Sequence, residues 1–364
     1  MTTPRFRGVT WRPPPPFTPA PRRSDPRTLP ALTFTPLPGA GPEHVAADPA
    51  GRIVSGLADG RIVRIDPARP DEAAEVIAHT GGRPLGLEFD ADGTLVVCDA
   101  TRGLLRVTLP AENAPADTSA DAPGAAPSGA PSRAPIGAAA AVVEVLCDEV
   151  DGRSLVFVSC PAIARDGTIY FTQSSQRHDL AHYPTDVLEH SGTGRILRHR
   201  GGRTDVIAEG LQFANGIVLT EDESALIVSE TSAYRLGRHE LDGTGRISGT
   251  STLIDALPGF PDNLTPGQDG LIWIGMVRPR DRLLDALLPR PARLRAFISA
   301  LPQSLLPGPK NIAWALAVDQ SGAVVHDLHG WHVGFREVTA ARQVGNRLYL
   351  GSLDQSAIAA LELP

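Results

Sequence analysis

The chain has 364 residues, of which 42% are hydrophobic and 21% charged, and its formal net charge is −7. This length can bury a large core, and it would allow two or three ordinary domains or one long repeat fold. The acidic balance excludes the basic face of a nucleic-acid-binding protein, and no run of about 18 apolar residues predicts a membrane span.

Cysteine usage and the N-terminus bear on the compartment. The three cysteines, Cys98, Cys147 and Cys160, are few and odd in number, so they do not form a disulfide framework. Such low cysteine usage favours a reducing compartment. The first residues lack the apolar core of a signal peptide. We therefore expect a cytoplasmic protein without a membrane or nucleic-acid partner. The sequence leaves the oligomeric state open.

Two segments have a composition that cannot form a packed core. Residues 1–29 are rich in proline and arginine, and the four prolines at 13–16 favour an extended polyproline conformation. Residues 111–139 consist almost entirely of small and polar residues. Because neither segment offers large side chains to bury, both are predicted to be disordered, the second as an insertion in a surface loop.

The remaining chain, residues 30–364, repeats a short apolar strand, a turn with Asp or Gly, and a second β-rich strand. Six copies occur, at residues 44–57 (HVAADPAGRIVSGL), 85–100 (LGLEFDADGTLVVCDA), 162–174 (AIARDGTIYFTQS), 216–231 (GIVLTEDESALIVSET), 263–277 (NLTPGQDGLIWIGMV) and 338–353 (VTAARQVGNRLYLGSL). Several copies are followed by a third and a fourth strand. Four short strands per repeat, without a helical period between them, predict an all-β fold, a six-bladed β-propeller.

The two ends of the chain and one leucine-rich segment complete this prediction. Residues 32–37 can supply the missing strand of the last blade, which would close the ring and remove an open sheet edge. Residues 282–305 have leucines at helical spacing, but Pro289 and Pro291 divide them into two short helices. We expect this helical insertion to cover or brace one blade.

Several strings resemble one family of propellers. They are residues 41–65 (GPEHVAADPAGRIVSGLADGRIVRI), 211–236 (LQFANGIVLTEDESALIVSETSAYRL), 257–285 (LPGFPDNLTPGQDGLIWIGMVRPRDRLLD) and 347–353 (RLYLGSL). They are similar to the strictosidine-synthase-like branch of the gluconolactonase and senescence-marker-protein superfamily. The resemblance implies a six-bladed propeller. It also implies, from the gluconolactonase relatives, a divalent cation at the channel mouth and hydrolysis of lactones or esters.

The resemblance places three oxygen-bearing side chains at equivalent positions, immediately before inner strands. Glu43, Asn215 and Asp262 would hold the cation, for which Ca²⁺ is the expected ion and Mg²⁺, Mn²⁺ or Zn²⁺ the alternatives. Asp and Asn also favour turns for purely local reasons, so a structural role is the alternative for each. In the hydrolase interpretation, Asp262 and Glu43 are catalytic, and His332 is a candidate proton shuttle.

Other positions near the expected mouth are candidates for substrate binding: Ser159, Cys160, Asn263 and His44. The family pattern has Asn-Asp where this chain has Ser159-Cys160, and an Asp where it has Gln173. These departures weaken the expectation of a cation. His178 and His182 are further possible proton shuttles.

Three functions remain open from the sequence. The first is a metal-dependent lactonase or esterase. The second is a cyclisation or rearrangement in secondary metabolism, although the glutamate that strictosidine synthase uses is matched here by Thr339, with Glu337 two residues away. The third is a non-catalytic binding propeller. The fold alone does not choose among them.

Overall fold

A computed structural model describes residues 6–16, 29–110, 141–301, 308 and 310–363. The predicted disordered loop at residues 111–139 lies outside the described residues, as do residues 1–5 and 17–28 of the predicted disordered N-terminus. The rest of the chain is built mainly of short antiparallel strands.

Six four-stranded antiparallel sheets form the blades, and strand β1 (Thr33–Pro36) precedes them in the chain. Blades one and two consist of β2 (Ala46–Ala47), β3 (Ile53–Gly56), β4 (Arg61–Ile65), β5 (Glu75–His79), β6 (Pro84–Phe89), β7 (Leu95–Asp99), β8 (Gly103–Thr108) and β9 (Val142–Cys147). A two-stranded hairpin follows, with strands β10 (Glu149–Val150) and β11 (Arg153–Ser154). Blades three and four consist of β12 (Val158–Ile163), β13 (Ile169–Gln173), β14 (Gly194–Arg200), β15 (Arg203–Leu211), β16 (Ala214–Leu219), β17 (Ala225–Glu230), β18 (Arg235–Leu241) and β19 (Ile247–Ile254). Blades five and six contain β20 (Gly259–Pro266), β21 (Ile272–Pro279), β22 (Ile312–Val318), β23 (Val324–Trp331), β24 (Val338–Val344), β25 (Arg347–Ser352) and β26 (Ala357–Glu362).

Strand β1 closes the ring by pairing with β26 of blade six. The register places Thr33 opposite Ala360 and Pro36 opposite Ala357. The inner strands β2, β6, β12, β16, β20 and β24 contact one another in sequence around the central channel. The predicted six-bladed propeller, closed by strands from both ends of the chain, is therefore confirmed.

Buried apolar side chains fill each of the six interfaces between blades. Between blades four and five, for example, Ile227 and Leu236 pack with Ile274 and Leu316. Each such side chain, when fully buried, contributes about 1.5–3 kcal/mol. The apolar pattern of the strands is nearly continuous because both faces of every blade are covered by neighbouring blades.

The repeated turns form through local hydrogen bonds, as the sequence indicates. The Asp48 carboxylate accepts hydrogen bonds from the backbone N–H groups of Ala50 and Arg52, both at 2.9 Å. Gly51 ends this turn with φ +79°, a conformation that residues with a Cβ rarely adopt. The same geometry recurs at Asp90 and Gly93 in blade two.

Among the residues that the structure describes, three helices lie at one end of the ring. They are α1 (Tyr183–Glu189), α2 (Arg282–Leu287) and α3 (Ala292–Ser299). The described part of the chain also contains 3₁₀ turns at Leu180–His182, Thr231–Ala233 and Gln268–Gly270. The two helices α2 and α3 confirm the predicted insertion, and Pro291 caps α3. The sequence did not predict α1. None of the helices among the described residues is long and apolar enough to cross a membrane.

Residues 6–16 run across these helices, although they belong to the segment predicted to be disordered. The backbone N–H of Val9 donates to the carbonyl of Glu189 at 2.7 Å. The indole of Trp11 stacks on the ring of His190, with centroids 4.2 Å apart. Part of the predicted tail therefore has defined contacts, because Trp11 supplies a large apolar surface that α1 and its surroundings cover.

Candidate functional site at the mouth of the central channel

The entries of four inner strands converge on a cavity of about 420 Å³ at the end of the ring that carries the helices. Its lining includes Glu43 before β2, Ser159 in β12, Asn215 in β16 and Asp262 in β20. The structure thus brings together all three residues predicted as cation ligands, together with one predicted substrate contact. Ring closure achieves this because each residue lies at the same point of its blade.

Hydrogen bonds tie these side chains into one polar floor. The amide Nδ2 of Asn215 donates to Oδ1 of Asp262 at 2.5 Å. In the same way, Nδ2 of Asn263 donates to Oε1 of Glu43 at 3.0 Å and to its backbone carbonyl at 3.2 Å. Asn263 itself is fully buried and does not line the cavity. Asn263 therefore positions Glu43 and does not contact the substrate cavity, contrary to the prediction that it binds the substrate.

Both carboxylates of the floor are costly to ionise. Burial raises the pKa of Asp262 well above its usual range, and the nearby charge of Glu43 raises it further. Burial also raises the pKa of Glu43, while Arg83 and the hydrogen bond from Asn263 act in the opposite direction. Two buried carboxyl groups that repel each other when both are ionised favour a positive charge between them, either a proton or a cation.

The residues fit a hard divalent cation. Glu43, Asn215 and Asp262 offer only oxygen atoms as ligands, which is the set that Ca²⁺ and Mg²⁺ prefer. The Oε2 atom of Glu43 is buried without a hydrogen-bond partner among the described residues, so it is available as a ligand. Among the same residues no cluster of three or more His, Cys, Asp or Glu side chains is arranged for a metal, so the amide of Asn215 would have to serve as the third ligand.

Two further residues that were predicted to bind the substrate do not reach the cavity. His44 is buried beside Glu43, where its Nδ1 accepts a hydrogen bond from the N–H of Leu87 at 3.4 Å. Cys160 is buried in the interface between blades three and four. Burial raises the pKa of its thiol well above the usual value, which disfavours the thiolate needed in a nucleophile.

His332 is placed away from the candidate site. It lines a separate pocket of about 250 Å³ with Asn311 and Arg336, and its backbone N–H donates to the carbonyl of Asn311 at 2.8 Å. The loop between β23 and β24 turns outward at this residue, which has φ +57°. The structure therefore does not support His332 as a proton shuttle at the cavity.

The other histidines considered as shuttles make structural contacts. The Nε2 atom of His178 lies 3.0 Å from Oε2 of Glu189, with both side chains fully buried. His182 is exposed and lies 2.6 Å from Asp179, measured between Nδ1 and Oδ1. Gln173 is likewise engaged, because its Oε1 accepts two hydrogen bonds from the guanidinium of Arg195 at 2.7 and 2.9 Å.

The structure adds Glu337 to the cavity, a residue that the sequence analysis did not place there. Glu337 is 7% exposed, and burial raises the pKa of its carboxyl, while the charge of Arg278 lowers it. Thr339, the position matched to the glutamate of strictosidine synthase, instead turns its hydroxyl inward and donates to the carbonyl of Glu43 at 2.5 Å. The carboxylate of blade six is thus present in the cavity, but it comes from two residues earlier in the chain.

A repeated spacing explains this placement. Phe157, Phe213 and Phe260 each precede the floor residue of their blade by two positions, and all three line the cavity. Glu337 stands in the same relation to Thr339. This F-x-S, F-x-N, F-x-D and E-x-T pattern is the signal in the sequence that could have identified Glu337.

Apolar side chains form the walls and roof of the cavity. The helices contribute Val187, Leu188, Leu284 and Leu287, and the aromatic rings of the strand entries complete the wall. Arg278 also lines the cavity, and its guanidinium lies over the ring of Phe260 at 5.7 Å from the centroid. The site therefore joins a polar floor of carboxylates to a mostly apolar chamber, as small-molecule sites commonly do.

Known proteins with similar sequences establish the family. The adipocyte plasma membrane-associated protein of Salmo salar is 30% identical over 348 residues, which cover 89% of this chain and 76% of that one. The chain belongs to the strictosidine synthase-like family. Strictosidine synthase-like protein 6 of Arabidopsis thaliana is 29% identical over 327 residues, covering 88% and 79% of the two chains. The strictosidine synthase profile matches residues 161–244, and the strictosidine synthase-like N-terminal profile matches residues 27–65.

Solved structures resemble this strictosidine synthase-like protein in fold. A gluconolactonase from Xanthomonas campestris superposes with a TM-score of 0.59 at 17% identity, covering 97% of this chain and all of that one. Regucalcin from Agrobacterium tumefaciens, described as a calcium-binding protein, superposes with a TM-score of 0.57 at 14% identity, covering 92% and 95%. At these identities the likeness shows the shared propeller fold.

Proposed function

We propose that this strictosidine synthase-like protein is a hydrolase of a small lactone or ester, with a divalent cation held by Glu43, Asn215 and Asp262. The observation that carries the proposal is the convergence of two buried carboxyls and one amide on the floor of an apolar cavity. The gluconolactonase and the calcium-binding regucalcin that share the fold support the same chemistry.

Different residues of the chain would bind the cation, transfer the proton and bind the substrate. When bound, the cation supplies a Lewis acid that polarises the carbonyl of the substrate. Asp262 would accept the proton of the attacking water, because the charge of the bound cation would offset the burial that otherwise disfavours its ionised form. The apolar wall binds the hydrocarbon part of the substrate and excludes competing water. The Ser159 hydroxyl lies at the floor, 2.6 Å from the Oγ atom of Ser174, and can hold a polar atom of the substrate.

Turnover of phenyl acetate and of a γ-lactone, before and after removal of divalent ions, tests this proposal. We expect Asp262→Asn to lower kcat/KM by at least about 100-fold, which is the usual range for loss of a general base. The matched control is Glu88→Gln, which changes a carboxylate paired with Arg342 outside the cavity. Chelation should abolish activity in the wild type and in the control. Hydrolysis that survives chelation would refute the dependence on a divalent cation. Equal losses of kcat/KM in Asp262→Asn and Glu88→Gln would refute the role of Asp262.

A second function is favoured by Glu337. A carboxylic acid with a raised pKa in an apolar chamber can move a proton during a cyclisation or rearrangement without a cation. In that case Glu337→Gln should abolish product formation, and chelation should leave it unchanged. In the hydrolase, Glu337→Gln should lower kcat/KM less than about tenfold, a loss well below that of a general base. The third possibility, a non-catalytic propeller that binds a ligand or a protein, predicts no turnover in either assay.

A further inference from the structure

Helix α3 has an inverted distribution of polar and apolar residues. Arg295 is completely buried, whereas Leu294 is 44% exposed and Phe297 is 66% exposed. A buried charged side chain and a group of exposed large apolar side chains are each informative, and their combination on one helix calls for an explanation. A helix that only braced the propeller would place Leu294 and Phe297 inside.

Hydrogen bonds of Arg295 fix this orientation. Its Nη1 atom donates to the carbonyl of Leu188 at 2.6 Å, and its Nη2 atom donates to the carbonyl of Val9 at 2.9 Å. These contacts join α3 to α1 and to the N-terminal segment. Because the inner face is held in this way, the outward direction of Leu294 and Phe297 is a property of the folded protein.

Other exposed apolar residues lie at the end of the molecule that carries the helices. Eight large apolar side chains are exposed among the described residues, and four of them belong to this end of the molecule: Val9, Leu283, Leu294 and Phe297. Leu283 also lines the cavity, so the exposed apolar surface reaches its entrance. We call these four residues and the arginines described next the cap face.

The outward charge of the cap face is positive. Arg282, Arg290 and Arg293 are exposed, and none has a side-chain hydrogen bond or ion pair to another described residue. The acidic residues of α2 are engaged with the protein, since Asp281 caps the helix and Asp285 accepts a hydrogen bond from Tyr234 at 2.9 Å. The whole chain has a net charge of −7, so this local positive charge is a particular feature of the cap face.

We propose that the cap face docks onto an anionic lipid surface. Exposed Leu and Phe side chains beside arginines have the composition of an interfacial helix, in which the apolar groups enter the lipid and the arginines meet the headgroups. The positive charge complements anionic lipid specifically. Docking would bring the entrance of the cavity, at Leu283, to the lipid. The sequence predicted no membrane partner because it lacks a spanning segment, and a surface contact does not require one.

Vesicle flotation of the full-length protein tests the proposal. One set of vesicles is pure phosphatidylcholine, and the other contains about 30% of the anionic lipid phosphatidylglycerol. Both are used in about 0.1 M salt, where charges interact over about 10 Å. We expect binding to the anionic vesicles, and binding at least about tenfold weaker to the neutral ones. Arg290→Gln/Arg293→Gln should weaken anionic binding at least about tenfold, since each arginine near such a surface contributes about fivefold.

The double variant Leu294→Ser/Phe297→Ser should weaken binding to anionic vesicles at least about tenfold, because it removes the groups that enter the lipid. The matched control is Trp331→Ser, which changes a side chain that is 53% exposed on strand β23 and should bind like the wild type. An unchanged melting temperature in every variant shows that the fold is intact.

Three results would overturn the proposal. The first is that the wild-type protein binds neither kind of vesicle. The second is that the Trp331→Ser control loses as much binding as the cap-face variants. The third is a concentration-dependent dimer that disappears in Leu294→Ser/Phe297→Ser, which would assign the cap face to a second copy of the chain. None of these readouts depends on catalytic turnover.

Discussion

At the scale of single residues, His190 shows how burial makes stability depend on pH. The residue ends α1 in the left-handed conformation, with φ +51°, and its ring stacks on Trp11. Burial lowers the pKa of His190 to about 4, with further contributions from the charges of Arg295 and Arg235. The neutral ring is therefore the form that the folded protein accepts.

The consequence is a loss of stability in mild acid. The unfolded chain protonates this histidine near pH 6.5 and the folded chain only near pH 4, so the free energy of unfolding falls as the pH decreases between those values. Between pH 7.5 and pH 5.0 we expect a contribution of about 1–2 kcal/mol.

Urea unfolding of wild type and His190→Asn at these two pH values measures this contribution. Asparagine keeps the left-handed cap but does not titrate, so the variant should lose about 1–2 kcal/mol less on acidification. Only the difference between the two pH values is compared, because loss of the ring stack lowers the stability of the variant at both. The same pH dependence in both proteins would contradict the role of His190.

At the scale of elements, the roof of the cavity depends on one buried side chain. Arg295 of α3 is bound to backbone carbonyls of α1 and of the N-terminal segment, so three separate pieces of chain meet at its guanidinium. Helix α1 has only seven residues, which is too short to be stable alone. Its order comes from such tertiary contacts, including the hydrogen bond from Ser175 to Asp186 at 2.6 Å.

Replacement of Arg295 by Met should therefore loosen the roof without unfolding the blades. Removal of the guanidinium leaves the carbonyl of Leu188 without this donor, at a cost of about 1–3 kcal/mol for a buried acceptor. We expect hydrogen exchange to become about tenfold faster or more in α1 and α3, an effect of the same size as that cost, and to stay unchanged in β7 of blade two. The matched control is Arg293→Met, in the exposed face of α3. Equal acceleration in β7, or none in α1, would contradict this account.

At the scale of the whole molecule, ring closure creates the site. Glu43, Asn215 and Asp262 belong to blades one, four and five, and they meet because each lies near the start of an inner strand, Glu43 shortly before β2 and the other two within β16 and β20. The repeat in the sequence predicted the propeller and its closing strand, and the resemblance predicted that these three side chains share one position in their blades. Equivalent positions in a repeat occupy equivalent places in the ring, so local pattern and resemblance agreed.

Other parts of the site could not be predicted in this way. His332 lies in a connecting turn, and turns do not follow the repeat, so its nearness to β24 in sequence did not bring it to the channel. Glu337 was missed because the resemblance aligned the family's glutamate with Thr339, whereas the cavity is lined by the position two residues earlier. Helix α1 has no strong helical pattern, and tertiary contacts determine it.

The central claim is that a divalent cation binds where blades one, four and five meet. Calorimetric titration of Ca²⁺, and then of Mg²⁺, Mn²⁺ and Zn²⁺, into chelator-treated protein measures this most directly. The account predicts one site per chain in the wild type and in Glu88→Gln, and binding at least about tenfold weaker in Asp262→Asn, since a charged oxygen ligand is lost. Absence of binding for all four ions, or identical binding in Asp262→Asn, would contradict it.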